Sequence, residues 1–148
     1  MAIARGAGTE IIRSIYADDI DDTDTTLIFG VQHHIYTVLS VTFVAETWQA
    51  SGNVLRLFVV GYDAKGGTTG QSFNIFKQAM SAGETFVWND KFSFNGHEPT
   101  DFTGPMDSIV KQDAIADQGG VAQYLKVDTT NASDSGHISV TYIDQNNA

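Results

Sequence analysis

The strongest constraint on this chain is that, from Ile35 onward, it reads as one strand pattern after another, each closed by a turn signal. The longest run, Ile35–Trp48 (IYTVLSVTFVAETW), is dense in β-branched and aromatic residues. Such residues fit a pleated, half-buried surface. One parity of this run carries Ile35, Thr37, Leu39, Val41, Phe43 and Ala45. It is the more apolar set, so it is expected to face the core. Gln49–Asn53 is a Gly-containing turn, and Val54–Tyr62 (VLRLFVVGY) follows as an expected hairpin partner.

Further strands are expected at Thr9–Ala17, Thr26–Gly30, Ser72–Met80, Thr85–Trp88, Phe92–Phe94, Ser108–Lys111, Tyr124–Asp128 and His137–Asp144. Asp18–Thr25 reads as an acidic turn. A helix is compatible with Met106–Gln118, although its apolar spacing is poor. Many short strands at near-regular spacing predict an all-β fold: a two-sheet antiparallel β-sandwich of jelly-roll type. The 148 residues suit one domain. Residues 1–15 are expected to be an N-terminal arm and first strand, and 16–148 the sandwich. The segment Met1–Gly8 is small and Gly-rich and cannot build a core alone.

Composition narrows the function classes. Eighteen acidic residues against eight basic ones give a formal charge of -10. Such a chain gains little from phosphate neutralisation, so neither nucleic acid nor an anionic membrane is an expected partner. The sequence contains no cysteine, which removes thiolate catalysis and thiolate metal sites and fits folding in the cytosol. Met1–Glu10 lacks a basic region followed by an apolar stretch and does not read as a signal peptide. The Asn131-Ala132-Ser133 sequon is therefore expected to stay unused.

Residue sets that could carry chemistry are thin. Counted from Asp19, an EF-hand loop needs Gly at its sixth position and Glu at its twelfth, where this chain has Asp24 and Gly30. His33 and His34 are neighbours that a strand points to opposite faces, and His97 and His137 lie far off. Asp134, Ser135 and His137 are triad residue types crowded into one turn, and no nucleophile elbow is present. Glu84, Glu98 and Asp101 could form a carboxylate pair only if the fold brings them together. Gly66, Gly67 and Gly70 lack the ending of a phosphate-binding loop. Trp48, Trp88, Phe102 and Tyr62 could line a sugar-binding groove or simply pack. The reading is a non-enzymatic module without metal or cofactor.

The segments HIYTVLSVTFVAETW, VLRLFVVGYD, AGETFVW and HISVTYID, with the opening MAIARGAGTEIIRSIY, resemble small β-sandwich virion proteins of tailed bacteriophages. The resemblance covers Ile35–Asp144. It implies a structural protein of the particle, chiefly a capsid decoration (cement) protein. Such a protein would be made in the host cytoplasm, sit on the capsid surface as a homotrimer, and bind the major capsid protein. A tail or head–tail adaptor module is the alternative within the resemblance, and a carbohydrate-binding β-sandwich is the alternative outside it. Asn95-Gly96-His97-Glu98 stands where many related modules carry a Gly-Asp turn. The expected contact residues for capsid or neighbouring subunit are Ala2, Ile3, Arg5, Glu10, Ile11 and Arg13 in the arm.

Overall fold

A computed structural model describes residues 9–31, 34–61, 71–96 and 123–146. These form nine strands: β1 Thr9–Ile20, β2 Thr25–Phe29, β3 His34–Thr47, β4 Asn53–Val60, β5 Ser72–Met80, β6 Thr85–Trp88, β7 Phe92–Asn95, β8 Tyr124–Thr129 and β9 Ser135–Asn146. The expected strand at Ser108–Lys111 and the helix over Met106–Gln118 lie outside the described residues, as do residues 1–8 of the arm.

The strands make two antiparallel sheets. One runs β1-β9-β3-β6, with β7 also on β3; the other runs β2-β8-β4-β5. β6 and β7 lie end to end along one side of β3, opposite Val41–Val44 and Ile35–Val38 respectively. The pairs β4·β5, β3·β6/β7, β2·β8 and β1·β9 are nested like one long hairpin. Winding that hairpin on itself adds β3·β9 and β4·β8. This is the jelly-roll order expected from the strand spacing.

Two expectations are corrected. β3 and β4 are not hairpin partners: they lie in different sheets, and β4 pairs with β5 and β8. The turn between them crosses from one sheet to the other over the buried Trp48. A turn signal between two apolar strands fixes a change of direction but not whether the chain stays in one sheet. The facing of β3 is also not uniform. Tyr36 and Val38 point inward in its first half, and Val41, Phe43 and Ala45 in its second. A register shift between Val38 and Ser40 inserts Leu39 as an extra residue and inverts the parity, as a β-bulge does. Ile35, Thr37 and Leu39 are therefore not core residues.

The core lies between the sheets. Val38, Val41 and Phe43 of β3 and Ile138 and Val140 of β9 face Leu55, Leu57, Leu125 and Val127 of the other sheet, all essentially solvent-free. Phe76 packs edge-on against Phe86, with ring centroids 4.9 Å apart, and tilted against Trp88 at 5.4 Å. These contacts close the side between β5 and β6. Gly136 lies under the ring of Phe43, and a Cβ there would collide with that ring and with the Val44 carbonyl.

Four short connections share one end of the sandwich: 21–24, 48–52, 81–84 and 130–134. They are bonded to one another. The Thr129 amide donates to the Asp21 carbonyl (2.8 Å), and the Gly83 amide to the Ala45 carbonyl (2.8 Å). The fully buried Asp134 accepts from the Gln49 amide (2.7 Å) and from Asn53 Nδ2 (3.3 Å), tying the crossover to the β8–β9 turn. Two outcomes are expected in urea unfolding. Asp134→Ala lowers stability by about 1–3 kcal/mol, because the Gln49 amide and Asn53 Nδ2 lose their acceptor. Gly136→Ala lowers it by about 1–3 kcal/mol through overpacking.

Candidate functional site

The two outer faces of the sandwich differ in charge. On the four-stranded sheet, Arg56 of β4 makes a two-pronged contact with Asp128 of β8: Nε to Oδ1 at 3.0 Å and a terminal nitrogen to Oδ2 at 2.6 Å. The guanidinium also lies 4.0 Å above the Phe58 ring. The hydrogen bond to Asp128 holds the Arg56 pKa above its usual value. Lys77 and Lys126 stand beside this pair in register. Asp24 completes the cluster, and burial together with the neighbouring Asp128 pushes its carboxyl above the usual range.

The outer face of the five-stranded sheet is different, and its composition follows from register. Ile12, Ile143, Thr37 and Ser93 form one row across β1, β9, β3 and β7. Ser14, Thr141 and Ser40 form the next. Tyr16, Ser139, Thr42 and Val87 form a third. None of these side chains is ionised. Hydroxyls pair between strands, Ser14 with Thr141 at 3.2 Å and Thr37 with Ser93 at 3.0 Å. Ile12 and Tyr16 are 70% and 65% exposed, and Val87 is 50% exposed. A surface depleted of charge and carrying exposed apolar groups is the composition of an interface core. β1 borders this face as an edge strand, with no second partner strand among the described residues. Twelve residues of open edge are a pairing template that monomeric proteins usually blunt.

Charge returns at the two ends of the face. At the end of the short turns, His137 of β9 hydrogen-bonds through Nδ1 to the Glu46 carboxylate of β3. At the opposite end Glu10 is exposed on the face, and on the inner side of the sheet Arg13, Asp144 and His34 meet. His34 Nδ1 lies 2.6 Å from Asp144 Oδ1, and Arg13 Nε lies 3.4 Å from Asp144 Oδ2. They line a groove of about 500 Å³ with Leu27, Phe29, Val31, Tyr36 and Tyr142, between edge strands β1 and β2. The Val31 amide donates to the Tyr36 hydroxyl at 2.9 Å. Because Asp144 is held between two basic side chains, the groove is largely neutral.

Of the expected contact residues, Glu10, Ile11 and Arg13 lie on β1, paired with Gln145, Asp144 and Tyr142 of β9. Glu10 and Arg13 are exposed and Ile11 is half-buried, while Ala2, Ile3 and Arg5 lie outside the described residues. Asp134 is buried at the crossover and His137 pairs with Glu46, so the triad types are not assembled. Trp48 packs in the core 6.0 Å from Phe43, with its Nε1 donating to the Asn53 carbonyl, and Trp88 packs on Phe76. Neither tryptophan offers a sugar platform; Tyr62 and Phe102 lie outside the described residues. The same is true of Glu98 and Asp101, the expected carboxylate partners of Glu84, and of His33, His97, Gly66, Gly67 and Gly70.

No protein-family model matches the chain, and no curated protein matches it. Solved structures do. One comes from work on Bacillus endospore appendages, described as disulfide-linked pili: 14% identity, 99% of this chain and 96% of that one, TM-score 0.43. Two are of infectious bursal disease virus. The Gt strain gives 11% identity over 94% of this chain with TM-score 0.45, and the T13 particle gives 10% over 99% with TM-score 0.42. The chain spans about a third of the length of those viral chains, 33% and 37%. At this identity and TM-score the likenesses carry no argument about function. The class that fold and surface define is a jelly-roll β-sandwich with one outer face uncharged over three successive rows.

Burial raises the phenols of Tyr36 and Tyr142 above their ordinary 10.0, and Asp144 adds to the effect in both. Above pH 10 the unfolded chain releases these protons before the folded one does, so unfolding releases protons and stability falls as pH rises. Denaturant unfolding between pH 9 and 11 is expected to show that fall. Tyr142→Phe is expected to reduce its slope, and an unchanged slope would reject the assignment to Tyr142.

Proposed function

We propose that this chain is a non-enzymatic structural protein of a virion. Its specific role is that of a bacteriophage capsid decoration protein, which binds the outer surface of the major capsid protein lattice as a homotrimer and stabilises the head. One observation carries the reading: three successive rows of one outer face hold no ionised side chain, and they are bordered by β1, which has no second partner strand among the described residues, in a chain of net charge -10. Charge elsewhere keeps such a protein soluble alone. The face itself can be covered without desolvating a charge. Many copies on a symmetric lattice then convert a modest contact into high occupancy. The resemblance of Ile35–Asp144 to phage virion proteins points the same way.

Residues 1–15 are assigned the role of contact arm, through Ala2, Ile3, Arg5, Glu10, Ile11 and Arg13. Synthesis in the host cytoplasm and location on the capsid surface follow from the same reading. The test is twofold. Light scattering after size exclusion is expected to give a trimer; a ring of six or more copies would move the assignment to a tail or head–tail adaptor. Ile12→Lys is expected to leave melting within about 3 degrees, as for other surface changes. Burying its charge should weaken binding to particles at least about tenfold. Deleting residues 1–8 should also lower occupancy on particles. Full occupancy by both variants would reject the docking role. A glycan-dependent rise in melting temperature would instead favour the carbohydrate-binding alternative.

A further inference from the structure

Three adjacent strands place metal-ligating side chains together at one corner of the uncharged face. Asp18 of β1, His137 of β9 and Glu46 of β3 each offer one ligand atom, and these atoms all lie within 4.8 Å of one another. We propose that these three residues bind a divalent transition-metal ion of the Zn²⁺ or Mn²⁺ class. The inference does not depend on the virion role.

The donor set argues for the class. One imidazole with two carboxylates is a mixed nitrogen and oxygen set. Imidazole favours zinc and its neighbours, whereas calcium demands six to eight oxygens. Ligand atoms around a tetrahedral zinc sit about 3.3 Å apart, given bond lengths near 2.0–2.1 Å. The Asp18 carboxylate must therefore move inward by up to about 1.5 Å, while Glu46, now hydrogen-bonded to His137 Nδ1, must swing aside to admit the ion; both side chains are exposed. His137 is the more fixed member, since its ring lies against Tyr16 at 5.9 Å and its backbone is paired in the sheet.

Charge argues for a cation. His137 is the one basic side chain paired with either carboxylate among the described residues. Two carboxylates therefore share the corner with a single imidazole. Asp19, Asp21, Asp22 and Glu84 lie at the same end of the sandwich and deepen the negative potential there. Asp18 reaches the corner because it follows Tyr16 on the outward parity of β1, one step beyond the Ala17↔Ile138 pair and so beside His137. Its Oδ1 accepts the Asp19 amide at 2.8 Å. A metal held here would have only three protein ligands, leaving positions for water, as in open metal sites.

The experiment uses the full chain with any affinity tag removed and with EDTA dialysed away. Zn²⁺ and Mn²⁺ are titrated by calorimetry. Melting is followed at about 100-fold excess over the dissociation constant, where a rise of roughly 5–10 degrees is expected. The same titration with Mn²⁺ in a ¹H–¹⁵N spectrum is expected to broaden signals around Asp18, Glu46 and His137 first. His137→Ala, Asp18→Asn and Glu46→Gln should each weaken binding at least about tenfold while the apo protein remains folded. Any of three outcomes would overturn the site: no binding of either ion, leaving a His–Glu ion pair only; binding unchanged in all three variants; or binding of Ca²⁺ alone, which would remove the imidazole from the ligand set.

Discussion

The pairing of β3 with β9 holds the rest of the molecule in place. These are the two central strands of the five-stranded sheet, matched from His34↔Asn146 to Thr47↔Ser135. They bring residues about a hundred positions apart into register. β1 has β9 as its partner, and β6 and β7 have β3, so both wings of the sheet hang on this ladder. Its inner side supplies Val38, Val41, Phe43, Ile138 and Val140 to the core. Because so long a loop must close before the ladder forms, folding of this topology is expected to be governed by non-local contacts.

The sequence was legible where local patterning decides structure. Ser72–Met80 and Thr85–Trp88 are strands with the predicted bounds, and β2, β7, β8 and β9 differ from expectation by a residue or two at their ends. The acidic turn is shorter than its composition suggests, because β1 continues through Asp18 and Asp19 to Ile20. The all-β sandwich follows from that spacing. What failed was non-local. Both parities of Ile35–Trp48 carry apolar residues, so the bulge at Leu39 left no trace in the pattern. Likewise, a Gly-containing turn after Trp48 looks the same whether the chain reverses within a sheet or crosses to the other one.

The surface was hidden for the same reason. Outward Ser and Thr residues on β1, β3 and β9 are unremarkable one strand at a time; only the register aligns them into rows without charge. Glu46 and His137 are 91 residues apart, and no spacing rule links them. Asp18 was visible as part of an acidic run, but the β1–β9 register that sets it beside His137 was not. An alternation count that allowed for one bulge would have found the β3 facing, and from it the outward position of Glu46.

Thr9 and Asn146 are register partners, so the two ends of the described chain leave the sandwich side by side. The four short interlocked turns sit at the far end, together with the Asp18–Glu46–His137 corner. A payload attached at Thr9 or at Asn146 would therefore emerge from the same corner of the molecule, about a full strand length from that cluster. For protein engineering, these two positions are equivalent anchoring points, and the choice between them changes the polarity of the tether more than its position.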